Sequence, residues 1–204
     1  MKKRSNMKSP IFSCFIAVTI LAMTVTSAGA LSDAYKENIY NPGTLKPIDS
    51  KLKVKVGQLA PDFTLPAIGG DKVTLGQYRA KRNVMLTFIP AAWTPVCSDQ
   101  WPGYNIVEDL FAAHETMILG ISVDNLPTLF SWTNQMGRLW FPVLSDFWPH
   151  GKVAERYGIL RSDGVAERAI IIIDKQGIIR YIDVHDINER PPLEGIVRAL
   201  EKLK

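Results

Sequence analysis

Two apolar runs, NVMLTFIP at 83–90 and MILGISVD at 117–124, dominate the pattern of hydrophobic and polar positions. Both contain β-branched residues and neither alternates, as expected of strands buried on both faces. Between them, YNIVEDLFAAH carries helical spacing, with Ile106, Leu110 and Ala113 predicted on one face. LPTLFSWTNQMG predicts a second helix, with Pro127 tolerated near its start and Gly137 at its end. FPVLSDF then reads as a short strand and GKVAERYG as a short helix closed by Gly158. RAIIIIDKQGIIRYIDV forms a hairpin pattern turning at Lys175-Gln176-Gly177, and PLEGIVRALEKLK closes the chain as an amphipathic helix. Upstream, DFTLPAI and KVTLGQY predict a small hairpin around Gly69-Gly70-Asp71. The order β, α, β, α, β, β, α predicts an α/β sandwich with a mixed central sheet flanked by helices.

The N-terminal 54 residues break this pattern. Residues 1–30 have a basic start, an apolar centre (IFSCFIAVTILAMTV) and small residues at Ala28 and Ala30. That is the layout of a secretory signal, or of a membrane anchor if it is not cleaved. Residues 31–54 are polar, broken by Pro and Gly, and read as an extended arm or linker before a domain spanning 55–204. This division changes how the charge is understood. The formal net charge is +4, and Lys2, Lys3, Arg4 and Lys8 account for it, because residues 1–30 contain no acidic side chain. The balanced remainder gives no footprint for a nucleic-acid partner. The expected destination is the periplasm or the exterior.

The chain has two cysteines, Cys14 in the signal-like segment and Cys97 in the body. A lone thiol in an exported domain is exposed to oxidation and mispairing, so Cys97 is the first candidate for chemistry. It follows the strand-like run 83–90, where open α/β sheets build sites beyond the C-terminal strand ends. At a helix N-terminus, unpaired N–H groups and the peptide dipoles favour a thiolate, which is the nucleophilic form. In WTPVC, Thr94 stands where a disulfide oxidoreductase has a cysteine. It can offer the sulfur a hydroxyl but cannot form a disulfide. Pro102, five residues after Cys97, either separates a first turn from the main helix or kinks it.

PAAWTPVC resembles the Pro-x-x-x-Thr-x-x-Cys signature of the peroxiredoxins, with Pro90, Thr94 and Cys97 in register. VGQLAPDFTLPAIGG is similar to that family's N-terminal hairpin, and GVAERAIIIIDKQGIIRY to its C-terminal hairpin. FPVLSDFWPHGKVAERYGI is especially similar to one-cysteine members of the alkyl hydroperoxide reductase E type. The resemblance covers about residues 55–203 and implies a thioredoxin-like fold with an N-terminal hairpin extension. It implies that Cys97 attacks a hydroperoxide and becomes a sulfenic acid. Arg168 would stabilise the thiolate and the peroxide oxygens, Thr94 would hydrogen-bond sulfur and peroxide, and Pro90 would shield the site. Gln100 would orient the arginine and help bind substrate. Implied partners are a hydroperoxide substrate, an external thiol or thioredoxin-like reductant, and a second copy in a homodimer.

No cofactor is expected. His114, His150 and His185 are scattered without metal-ligand spacing, and Phe147 and Trp148 suit packing, an interface or a pocket rim. Two other readings stay open at this stage: a thioredoxin-like thiol-disulfide oxidoreductase, and a non-catalytic redox sensor or holdase acting through Cys97.

Overall fold

The computed structural model describes residues 33–203. The signal-like segment 1–30 and Cys14 lie outside the described residues. Strand β1 (Thr64–Pro66) pairs antiparallel with β2 (Lys72–Thr74), giving the small hairpin expected around Gly69–Asp71. The main sheet has five strands: β3 (Asn83–Phe88), β4 (Thr116–Ser122), β5 (Val143–Ser145), β6 (Arg168–Ile173) and β7 (Ile179–His185). Their order is β5-β4-β3-β6-β7. The β3–β4 and β4–β5 pairs are parallel, while β3–β6 and β6–β7 are antiparallel. The sheet is therefore mixed, with the two apolar runs at its centre.

Helices in chain order are α1 (Asp33–Glu37), α2 (Pro95–Ile106), α3 (Glu108–Ala113), α4 (Leu126–Met136), α5 (Lys152–Tyr157) and α6 (Leu193–Glu201). Helix α4 starts where Asn125 Oδ1 accepts the Thr128 N–H at 2.9 Å, and it ends at Gly137 with φ +94°.

Strand periodicity divides the core. Val84, Leu86 and Phe88 of β3, with Ile171 and Ile173 of β6, enter one apolar cluster with Val153 and Tyr157 of α5. Met85, with Ile170 and Ile172, enters the other, beneath Cys97 and Trp101 of α2, Leu129 and Trp132 of α4, and Leu200 of α6. Arg168 has the parity of Ile170 and Ile172, so its side chain leaves β6 on the face that α2 covers.

The region between the two central strands differs from the expected helix. Helix α2 runs through Pro102 and ends at Val107, whose φ −108° and ψ 33° separate it from α3. Nor is the expected inner face buried: Ile106 is 86% exposed and Ala113 is exposed, while Trp101, Tyr104 and Phe111 point inward. Aromatic side chains define the buried face, and aliphatic spacing alone misplaced it.

The arm also differs from a free linker, because residues 35–54 are bonded to the body along their length. Lys53 N–H donates to the Tyr157 carbonyl at 3.0 Å, and Val54 is buried in the core. Gly158, at φ +76°, lies against the arm so closely that a Cβ would collide with the backbone of Lys51 and Lys53. Only glycine meets both demands.

Candidate active site

Strand β3 delivers the chain to the site. Beyond it, Ile89 N–H still bonds the Ile121 carbonyl (3.1 Å), and the chain then turns away at Pro90. Asp124, past the end of β4, steadies that turn by accepting the Ala92 N–H (2.7 Å) and the Ser122 hydroxyl (2.6 Å). Trp93 sits at φ +61°, a strained conformation for a bulky side chain that costs ~1–3 kcal/mol. Thr94 is the N-cap of α2, and Pro95 supplies a first helical residue without an N–H. The first intrahelical bond runs from Ser98 N–H to the Thr94 carbonyl at 3.0 Å. The N–H groups of Val96 and Cys97 thus precede the hydrogen-bond ladder at the positive end of a twelve-residue helix. Because α2 continues through Pro102, Cys97 lies in the opening turn of the main helix.

The Cys97 thiol is fully buried and unpaired with another cysteine. Facing it is Arg168, which is 2% exposed. Nη1 and Nη2 of Arg168 each lie 3.5 Å from Cys97 Sγ. Nη1 also donates to Gln100 Oε1 at 2.6 Å, while Nε and Nη2 donate to the Ile187 carbonyl at 3.2 and 3.0 Å. These partners are a sulfur, an amide oxygen and a peptide carbonyl, with no carboxylate among them. The buried guanidinium thus presents its positive charge to the Cys97 sulfur.

Gln100 is fully buried and ties the arginine to the sheet. Its Nε2 donates to Thr87 Oγ1 at 3.1 Å and to the Tyr104 hydroxyl at 3.3 Å. Burial pushes the Tyr104 phenol well above its ordinary range, so it remains a neutral hydroxyl. The structure therefore brings Cys97, Arg168 and Gln100 together, with Pro90 and Thr94 at the same opening.

Contrary to what the resemblance implied, the structure gives Thr94 no hydrogen bond to the Cys97 sulfur. Its Oγ1 donates to the Ala91 carbonyl at 2.9 Å, so the one hydroxyl proton points away from sulfur. In this rotamer Thr94 is an acceptor toward anything entering the site. The opening is a cavity of about 560 Å³ whose floor includes Pro90, Thr94, Val96 and Arg168. Tyr40 to Leu45 of the arm form its outer wall. Phe147 and Trp148 are 47% and 81% exposed and line no part of it.

Sequence reasoning missed four contributors. Thr87 left a signal, a polar residue within an otherwise apolar strand, and Tyr104 left none beyond helical spacing. Asp124 and Ile187 act through a loop carboxylate and a backbone carbonyl, which no side-chain motif encodes. The histidines are each engaged locally: His114 Nδ1 with Leu110 O, His150 Nε2 with Gly164 O, and His185 Nδ1 with Asp183. Among the described residues, no group of three or more His, Cys, Asp or Glu side chains could hold a metal ion.

Comparison with known proteins finds relatives over most of the chain. The profile of the AhpC/TSA family matches residues 56–182. Alkyl hydroperoxide reductase E of Mycobacterium tuberculosis (strain ATCC 25618 / H37Rv) is 39% identical over 137 residues, covering 67% of this chain and 89% of that protein. A chloroplastic 2-cysteine peroxiredoxin of Chattonella marina var. antiqua is 32% identical over 162 residues, covering 75% and 82%. The reduced 2-Cys peroxiredoxin of Plasmodium vivax superposes with a TM-score of 0.68 at 27% identity, covering 72% of this chain and 81% of that one. A thioredoxin-like α/β scaffold, the Pro-x-x-x-Thr-x-x-Cys turn and an arginine against the sulfur thus coincide in one chain, which belongs to the AhpC/TSA family of peroxiredoxins.

Proposed function

We propose that this chain is a one-cysteine peroxiredoxin, a thiol-dependent peroxidase in which Cys97 is the reacting thiol and an external thiol resets it. The observation that carries the reading is the buried Arg168 guanidinium. Both of its terminal nitrogens face Cys97 Sγ, and among the described residues no carboxylate accepts a hydrogen bond from it.

The chemistry follows from that arrangement. The Cys97 thiolate attacks the terminal oxygen of a hydroperoxide, forming an S–O bond as the O–O bond breaks. Sulfur is oxidised by two electrons, and the departing oxygen leaves with the other electron pair and takes up a proton as water or an alcohol. Negative charge moves from sulfur onto the oxygens, and a fixed guanidinium touching the sulfur can follow it without reorganising. Thr94 Oγ1, its own proton committed to Ala91, accepts from the peroxide O–H and aligns the O–O bond. Pro90 and Val96 line the opening, where their apolar surfaces limit solvation of the thiolate.

Cys97 is the one cysteine outside the signal-like segment, so the sulfenic acid meets no resolving thiol within the domain. One molecule of external thiol condenses with it, releasing water and leaving a mixed disulfide. A second thiol then displaces Cys97 as a thiolate. A small thiol or a thioredoxin-like protein suits both steps. By analogy with relatives the working unit is a homodimer, and the sequence of residues 1–30 favours export with cleavage after Ala30. Mass measurement on the native protein tests that cleavage.

Stopped-flow tryptophan fluorescence of the protein mixed with hydrogen peroxide tests the central reading. The expected result is a Cys97-dependent phase much faster than the reaction of free cysteine, absent in Cys97→Ser, with dimedone trapping one sulfenic acid at Cys97. A rate no greater than that of free cysteine sinks the proposal.

A further inference from the structure

Residues 40–49 touch both halves of the site. On the cysteine side, the Tyr40 N–H donates to the Trp93 carbonyl at 2.8 Å. The buried Tyr35 ring lies 5.7 Å from that of Trp93. Trp93 is the residue at φ +61° within the turn that delivers Cys97, so an external hold falls where the loop is strained.

On the arginine side the same segment is bonded more heavily. Leu45 N–H donates to Asn188 Oδ1 and Asn188 Nδ2 donates back to the Leu45 carbonyl, both at 2.8 Å. Ile187 N–H donates to the Pro47 carbonyl at 3.1 Å. Asp49 N–H donates to Glu167 Oε1 at 2.6 Å, and Glu167 Oε2 is paired with Arg161 Nη1 at 2.7 Å. Two of these anchor points adjoin the arginine chemistry directly. Ile187 carries the carbonyl that accepts from Arg168, and Glu167 precedes Arg168 in the chain.

Ile187 lies beyond the end of β7, where no strand ladder fixes its peptide. Its N–H is held by the arm and its carbonyl holds Arg168, so a shift of the arm moves the acceptor that orients the guanidinium. Both the arm and Ile187–Asn188 lie outside residues 56–182, the part matched to the family.

We propose that residues 40–49 act as a clamp, anchored by Asn188, that positions Arg168 against the Cys97 sulfur for reaction with peroxide. Asn188 is a positioning residue in this scheme, acting through Ile187 and Arg168. The inference rests on the peroxidase reading of the site.

A double-mutant cycle on the full chain tests it, using hydrogen peroxide and stopped-flow fluorescence. Asn188→Ala is expected to slow the Cys97 reaction roughly tenfold, an order typical of losing one positioning contact. In an Arg168→Ala background the same substitution is expected to add nothing, because the residue it positions is gone. A merely structural role for Asn188 predicts losses that multiply, and that result, or a wild-type rate in Asn188→Ala, overturns the clamp. Thermal melting separates misfolding from misplacement. Should Asn188→Ala fail to fold, Asp49→Ala at the other end of the segment enters the same cycle with the same expectation. If the wild-type protein itself shows no fast peroxide reaction, the peroxidase reading fails. The clamp is then decided by NMR exchange of the Arg168 Nε–H: acceleration in Asn188→Ala supports it, and unchanged exchange overturns it.

Discussion

Arg168 meets Cys97 with two nitrogens at once, Nη1 and Nη2 each 3.5 Å from Sγ, while the same guanidinium reaches Gln100 and the Ile187 carbonyl. A planar fork can satisfy that many acceptors at fixed angles, and an ammonium cannot. Arg168→Ala is therefore expected to lower the second-order rate constant with hydrogen peroxide by about 10²–10³, the range for removing one preorganised donor at developing charge. Arg168→Lys, with its charge retained, is expected to recover less than about a tenth of the lost rate, because charge without the fork does not span the three partners. Recovery to near the wild-type rate would show that charge alone matters.

Thr94 separates helix capping from chemistry. It occupies the N-cap of α2 but makes no side-chain cap hydrogen bond, its hydroxyl being turned to Ala91 O. Thr94→Val preserves shape and β-branching while deleting the oxygen. The expected loss of stability is about 0.5–1.5 kcal/mol, the worth of one ordinary hydrogen bond. The peroxide rate is expected to fall by at least about tenfold, since the acceptor for the peroxide O–H has gone. Parallel melting curves and stopped-flow traces check both, and a large melting shift with an unchanged rate would assign Thr94 to structure alone.

How much of this was legible in the sequence differs by element. Strands β3, β4 and β6 were visible because strands buried on both faces have no polar side to interrupt the apolar run. The hairpin of β6 and β7 was visible through its Lys-Gln-Gly turn. Cys97, Thr94 and Pro90 lie within eight residues, so a linear motif could carry them, and Arg168 came only through the resemblance. What stayed hidden acts through backbone groups or long separation. Ile187 contributes a carbonyl, Asp124 bonds a loop N–H thirty-two residues earlier in the chain, and the arm's contacts depend on a surface that exists only after folding. The break at Val107 was hidden because the helical pattern runs on across it.

Gln100 tests whether the arginine needs an oriented acceptor. Gln100→Ala removes the 2.6 Å partner of Arg168 Nη1 and leaves Thr87 Oγ1 and the Tyr104 hydroxyl without their shared donor. The unsatisfied buried groups cost about 1–3 kcal/mol, and the peroxide rate is expected to fall roughly tenfold as the guanidinium loses its bearing. Gln100→Glu keeps an acceptor for Nη1, and both hydroxyls can rotate to donate to the carboxylate. Its rate is expected to lie between those of wild type and Gln100→Ala. If the Ala variant instead matches wild type, Gln100 is no orienting residue.

The arm's attachment has a predictable acid limit. Hydrogen bonds from Lys46 Nζ (2.6 Å), and then from the Ser162 hydroxyl and the Ser162 N–H (3.0 Å), hold the Asp49 carboxyl well below the usual carboxylate range. A carboxyl depressed in the folded state stabilises it above the ordinary value of 3.8, and that contribution fades as pH falls through the lower folded value. The arm is therefore expected to keep its hold from pH 7 down to about pH 5, and to loosen progressively as pH falls below 3.8 toward the lower folded value. Amide hydrogen exchange at Leu45 and Asp49, corrected for the intrinsic effect of pH on exchange, reads this directly. Asp49→Asn, which cannot ionise, should exchange faster than wild type at pH 7 and approach it in strong acid. Loosening of the wild-type arm between pH 7 and 5 would show that a group other than Asp49 governs the attachment.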